Sequence, residues 1–350
     1  MKLYVNGLGC ISPQPTYADN YFFEHIEEYS QNRMYCQEPS YEPYFEAKSL
    51  RRMGRILKFG VAAAKIAISQ SRVKEFDLIS TGTGLGCLQD SELFLKNVIE
   101  GNEGVVSPTP FIQSTHNTVS GLIALQLGCK SPNLTFSHKG SSFESALLEA
   151  KLMMLDSDKM NNVLVGSYDE ITPYSYAVMN RLNILKSEPC SNLNPMNDKG
   201  LMIGEGANFF VLSKEKNDTT LASFTDIHTT NFVKDANVMS EEVIAFLKRN
   251  NLFVSDIDVV LNGASGDAER DKNLKTLNNN IFNNNFNFSF KRLCGEYMTA
   301  SAFAMYFGAK LLNENKTPSH QVFMNVKENI KNVLICNQYK ENFNLILLSK

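Results

Sequence analysis

Twice along this 350-residue chain, short runs of β-branched and aromatic residues end in glycine-bearing turns and give way to segments with apolar positions at helical spacing. No other feature constrains the fold as much, because strand–turn–helix alternation calls for buried strands covered by helices. In the first half, residues 2–5 alternate as a strand that ends at Gly7 and Gly9. Residues 47–70 carry an amphipathic helix with a basic first turn. A strand over 77–80 breaks into Thr81-Gly82-Thr83-Gly84-Leu85-Gly86, and a helix covers about 118–127. Then come a strand at 133–136, a sharp turn at 137–140, a helix over 142–155, and strands at 162–166 and 207–212. The second half repeats the theme with a helix at 240–250, a strand at 258–262, a Gly-Ala-Ser-Gly turn and a helix at 267–278. The asparagine-rich 278–288 reads as a surface loop, followed by a helix over 299–313 and strands at 333–337 and 344–349. No literal repeat links the halves.

Composition narrows the function. With 43% hydrophobic residues the chain can build a large core, and a net charge of −3 without a basic run argues against nucleic-acid binding. The first residues lack the apolar stretch of a signal peptide, and no segment reaches the ~18 apolar residues of a membrane span, so a soluble cytoplasmic protein is expected. Seven scattered cysteines with no CxxC pair predict free thiols rather than zinc or disulfides. The five histidines (His25, His116, His138, His228 and His320) form no ligand pair, so no metal or cofactor is expected.

Two places could carry chemistry. The turn from Gly82 to Gly86 matches neither a Walker pattern nor a dinucleotide fingerprint, and tight packing explains its glycines better than phosphate does. The second is Asn133-Leu134-Thr135-Phe136-Ser137-His138-Lys139-Gly140-Ser141-Ser142, a strand–turn–helix of the kind that presents a nucleophile at a helix N-terminus. It contains no cysteine; Ser141 and Ser142 read as N-cap residues, and His138 as a neighbour unable to face them.

These elements, in this order, resemble the decarboxylating β-ketoacyl synthases of the thiolase-like superfamily. Val5 to Pro13 is similar to the family's "TGxGxxSP" opening, Leu50-Arg51-Arg52-Met53 to its "RRM" helix start, and Thr81 to Gly86 to its "GTxxG" turn. Asn117 to Gly121 resembles "NxxAG", Gly166 to Glu170 resembles "GGADE", and Gly204-Glu205-Gly206-Ala207 is its "GEGA" unchanged. The resemblance implies an α/β, five-layered αβαβα fold of two similar halves, taken here as residues 1–212 and 213–350, in a protein that is usually dimeric.

Active members use an elbow cysteine that takes the acyl chain, two histidines that hold the malonyl thioester oxygen, and a supporting lysine. Aligning the elbow helix on Phe143, Ala146, Leu147 and Ala150 puts Lys139 at the cysteine position, while a one-residue shift puts Gly140 there. The "HGTxT" histidine corresponds to Asn262, and in "KxxxGH" Lys291 is kept while Glu296 replaces the histidine. The glycine-rich "GFGG" loop reads Asn337 to Asn342 without glycine. A carboxylate at Glu296 opposes a developing enolate, so it is expected to pair with Lys139 or Lys291 in a buried ion pair.

The resemblance therefore implies a chain-length-factor-type subunit, inactive alone, that pairs with an active ketosynthase and, through it, meets an acyl carrier protein. It would shape the acyl tunnel in fatty-acid-like, polyketide or aryl polyene synthesis. The family segment that crosses the dimer interface corresponds to residues 109–116, with Phe111, Ile112, Gln113, Thr115 and His116 as the tunnel and interface candidates. Two alternatives stay open: acyl transfer through Ser141, Ser142 or Lys139, and a homodimeric acyl-binding scaffold.

Overall fold

The computed structural model describes residues 2–18, 20–193, 198–324 and 326–350. Strand β1 (Leu3–Ile11) runs straight through Gly7 and Gly9 rather than stopping there. Those glycines answer to a helix, not to a turn: a Cβ at either one would run into the backbone carbonyls of Ala67 or Ala63 on the helix that crosses the strand. The amphipathic segment after it divides into α1 (Ala47–Leu50) and α2 (Arg55–Ser71), broken at Met53-Gly54, where Gly54 lies against the Asp90 carboxylate. A two-residue strand, β2 (Arg33–Met34), precedes them.

Next come β3 (Leu78–Gly82), α3 (Leu88–Glu100), α4 (Pro108–Gln113), α5 (Thr118–Leu127), β4 (Asn133–Phe136) and α6 (Ser142–Asp156). The first half ends with β5 (Asn162–Asp169), α7 (Pro173–Arg181), β6 (Ile203–Gly204) and β7 (Gly206–Ser213). The second half opens with β8 (Ala222–Thr230), α8 (Ala236–Arg249) and β9 (Val259–Asn262). It continues through α9 (Lys272–Ile281), β10 (Phe286–Ser289), α10 (Lys291–Cys294), α11 (Ala300–Glu314), β11 (Asn332–Tyr339) and β12 (Asn342–Ser349).

The helix expected at 267–278 starts at Lys272, because Asp267 and Asp271 first hold a turn: Asp271 accepts the backbone N–H groups of Ser265 and Gly266. The helix expected from 240 begins a turn earlier, where Asp235 caps the N–H groups of Asn237 and Val238. The asparagine-rich stretch is a surface turn only over 282–285; its start is the last turn of α9 and its end lies in strand β10. Its buried Phe288 sets that conformation, with its ring 4.6 Å from Phe323 and 6.1 Å from Phe307.

Among the described residues ten strands form one sheet in the order β10-β9-β11-β12-β8-β1-β7-β5-β3-β4. Its two five-stranded blocks share one topology. In each, the first strand pairs antiparallel with the last, the last antiparallel with the fourth, and the fourth parallel with the second, which pairs parallel with the third. The blocks join where Leu3, Tyr4 and Val5 of β1 pair with Phe224, Ser223 and Ala222 of β8.

Helices α2 and α5 cover one block, α8 and α9 the other, and α6 and α11 lie between them, giving the five αβαβα layers. The central helix α11 is buried on nearly every side, as its small residues and Phe303 and Phe307 require. Fully burying such a phenylalanine contributes about 1.5–3 kcal/mol. This middle layer matters for chemistry, because the N-terminal ends of α6 and α11 bring their first residues close to the ends of β11 and β12.

Candidate functional site

The chain turns from β4 into α6 through a 3-10 turn over Lys139–Ser141, and Lys139 sits at its tip in the left-handed region (φ +50°). A non-glycine residue held there marks a turn fixed by its surroundings. The side chain of Lys139 is exposed and makes no ion pair among the described residues. Gly140 behind it is buried under the ring of Tyr339, whose Cγ and Cβ occupy the place that a Cβ on Gly140 would need. Tyr339 is the last residue of β11, just before the tight turn into β12, within the segment matched to the family's glycine-rich loop.

Ser141 is the N-cap residue of α6, as expected, whereas Ser142 is its first helical residue, and the Ser141 side chain makes no capping hydrogen bond. The Ser142 hydroxyl instead reaches backwards, accepting from the His138 N–H at 2.8 Å and donating to the Lys139 carbonyl at 2.7 Å. Ser141 Oγ accepts from the side-chain amides of Asn344 and Asn342 at 3.2 and 3.3 Å. His138 is exposed, and its Nδ1 lies 3.5 Å from the Ser145 hydroxyl rather than against Ser141 or Ser142.

The other matched positions lie deeper. Asn262 ends β9 and braces the following turn: its Oδ1 accepts from the Ala264 N–H at 3.0 Å and its Nδ2 donates to Asn287 Oδ1 at 2.5 Å. Lys291 Nζ meets Glu296 Oε2 at 2.7 Å, with the two side chains only 3% and 13% exposed. Of the two partners expected for Glu296, the structure brings Lys291 and leaves Lys139 outside. Burial pushes the Glu296 carboxyl up, and Lys291 pulls it partly back. Its Oε1 has no hydrogen-bond partner among the described residues. Glu296 and Tyr339 line a cleft of about 630 Å³ together with Gly263, Ser265, Arg270 and Lys340.

A residue that sequence reasoning missed completes the site. Glu144, in the first turn of α6, is fully buried, and neither of its carboxyl oxygens has a hydrogen-bond partner among the described residues. Burial pushes its carboxyl up to about 7, against the opposing influence of Ser301, Lys291 and Asn344. The clue was available: Glu144 lies next to Phe143 on a helix whose apolar positions point inward. Lys291, ion-paired with Glu296, also pulls the Glu144 carboxyl partly back down. The site thus places an ion-paired carboxylate in the cleft wall, and the elbow turn over Lys139–Ser141 contains no thiol.

The remaining motifs prove to be braces. Asp169 Oδ1 accepts from Gly84 N at 2.8 Å and Thr83 Oγ1 at 3.1 Å, so the glycine-rich turn wraps one of the chain's own carboxylates. Its Oδ2 holds Thr299 at the start of α11. Fully buried Glu205 accepts the N–H groups of Cys36 and Ile171, each at 2.8 Å, and Arg55 Nη1 at 2.6 Å.

On the surface, α4 presents Phe111 and Ile112, which are 56% and 64% exposed. Gln113 ties α4 to the Arg52 carbonyl, Thr115 bonds to Asn117 and Thr118, and the His116 carbonyl accepts from Tyr168. Strand β4 is one edge of the sheet among the described residues. No helix of the described residues is long and apolar enough to cross a membrane.

Comparison with known proteins agrees with this geometry. Residues 2–218 match the family description "Beta-ketoacyl synthase, N-terminal domain". The chain is 25% identical over 182 residues to 3-oxoacyl-[acyl-carrier-protein] synthase 2 of Synechocystis sp.; the match covers 49% of this chain and 44% of that relative, so less than half of the relative's length is spanned. The ishigamide ketosynthase/chain length factor superposes with a TM-score of 0.81 at 14% identity, over 100% of this chain and 99% of that one. The ketosynthase ApeO in complex with its chain length factor ApeC, from Xenorhabdus doucetiae, gives 0.78 at 15% identity over 99% and 98% of the two chains.

Proposed function

We propose that this chain, which belongs to the β-ketoacyl synthase family, is a non-catalytic, chain-length-factor-type subunit that pairs with an active ketosynthase and shapes its acyl tunnel. One observation carries the reading: Glu296, ion-paired with the buried Lys291, lines the cleft where a condensing site needs a neutral hydrogen-bond donor. Decarboxylative condensation builds negative charge on a thioester oxygen, and an adjacent carboxylate opposes that charge. The elbow adds a second obstacle, since Tyr339 packs on Gly140 and the exposed Lys139 stands at the tip. Ser141 and Ser142 are buried and engaged with backbone and amide groups, which favours a bracing role over acyl transfer.

On this reading the partner docks on the face formed by α4, with Phe111 and Ile112, and the open edge of β4. A two-fold-like pairing of equivalent edges completes the sheet without a new fold. Residues 1–212 and 213–350 are the two halves of the subunit, which acts in the cytoplasm. The acyl carrier protein reaches it through the ketosynthase, and the product is a fatty-acid-like, polyketide or aryl polyene chain.

The test is co-expression with a ketosynthase that keeps its cysteine and both histidines, followed by native mass spectrometry. A one-to-one heterodimer with a product length that changes on Phe111→Ala or Ile112→Ala supports the proposal. A stable homodimer that ignores the ketosynthase overturns it in favour of an acyl-binding scaffold.

A further inference from the structure

Far from the elbow, a second cleft of about 380 Å³ opens between the chain after β1, helix α2 and the C-terminal half of α11. Lys310, which lines it, lies nine residues along α11 from Ser301, about 14 Å of helix rise. The lining is mostly polar: Lys65, Lys310, Tyr17, Asn20, Tyr44 and Ser69 all face it.

What sets this cleft apart is its charge. Both lysines are half-buried, yet neither forms an ion pair among the described residues. Lys65 Nζ donates to the Tyr44 carbonyl and lies 5.4 Å from the Phe45 ring, while Lys310 has no hydrogen bond among the described residues. Glu314, one turn further along α11, is exposed and not within ion-pair reach of Lys310. The Cys10 thiol nearby is buried and pushed up to about 12, so it supplies no negative charge. Burial lowers the pKa of both lysines, and at Lys310 the exposed Glu314 offsets this only in part. Two cations lining one cleft with hydroxyl groups beside them match the chemistry of an oxyanion.

We infer that this cleft binds a phosphate group held between Lys65 and Lys310, with Tyr17 and Ser69 as neutral donors. A bare phosphate fills only part of the volume, and small-molecule sites begin near 300 Å³, so a phosphate monoester of a small polar molecule fits better. Asp19 lies outside the described residues, between Ala18 and Asn20 in the sequence.

The test uses the full chain, with inorganic phosphate and glycerol 3-phosphate titrated by calorimetry at constant ionic strength. Saturable binding is expected, weakened roughly tenfold or more by Lys310→Met and by Lys65→Met, since a hydrogen bond to a charged group contributes about 1.5–3 kcal/mol. Tighter binding of the ester assigns a monoester ligand, and equal binding assigns the free ion. Amine labelling of the unmodified protein gives a readout independent of the variants' folding: phosphate should protect Lys65 and Lys310 but not Lys74. No saturable binding, protection spread evenly over all lysines, or binding that emerges only in Asp19→Asn would each overturn the inference.

Discussion

Replacing Glu144 by glutamine should make the protein more stable, and only in one pH range. In the folded chain this carboxyl is buried without a hydrogen-bond partner and rises from its ordinary 4.5 to about 7. At 1.36 kcal/mol per pH unit, that rise corresponds to about 3 kcal/mol. The sign follows from proton counting. Between pH 4.5 and 7 the folded state holds a proton that the unfolded state has released, so stability falls as pH rises through this window. Below the window the group contributes nothing; above it the full cost is present. Glu144→Gln keeps the shape and cannot ionise. Urea unfolding at a series of pH values should therefore give equal stabilities near pH 4.5 and an advantage for the variant of up to about 3 kcal/mol at pH 8. Glu170, pushed up to about 8 by burial, adds its own slope to both proteins, so the difference between them isolates Glu144. A difference that stays constant with pH, or a variant less stable at pH 8, would refute the reasoning.

The ion pair makes a related prediction: Lys291→Met leaves Glu296 buried without its cation, at a cost of about 3–5 kcal/mol in urea unfolding, and the double variant Lys291→Met/Glu296→Leu should recover most of it. At the elbow, Gly140→Ala should destabilise by about 1–3 kcal/mol because Tyr339 must leave its place, and Tyr339→Ala should suppress that loss. On the proposed docking face, Phe111→Glu with Ile112→Glu should abolish co-purification with the ketosynthase while leaving the melting temperature of the isolated chain within a few degrees.

The layer order could be read in the sequence because buried strands and helix-period segments alternate cleanly, and because single-residue motifs such as the glutamate of Gly204-Glu205-Gly206-Ala207 pin their register. The reading failed where two signals conflicted. Asparagine, a poor strand former, masked the alternation of Phe286 and Phe288 in β10. At Gly7 and Gly9 a helix carbonyl, invisible in one dimension, explains what looked like a strand end. Helix α7 has no buried residue, and the apolar residues of α3, such as Leu93, Leu95 and Ile99, stay exposed instead of marking a core face. In the site, charge alone called for a lysine beside Glu296, since a carboxylate could not be buried unpaired, but it left Lys139 and Lys291 equally open. The filling of the elbow by Tyr339 and the burial of Glu144 depend on contacts between α6, β11, β12 and α11, far apart in the chain. Local spacing carries no record of such contacts.

The central claim is that this chain carries no acyl group of its own, and intact-mass spectrometry tests it directly. The purified protein is incubated with an acyl carrier protein charged with a fatty acyl chain, and its mass is measured with and without a thiol-reactive block. The account predicts an unchanged mass. A stable acyl adduct mapped to Lys139, Ser141 or Ser142 would contradict it and make this a working acyltransferase.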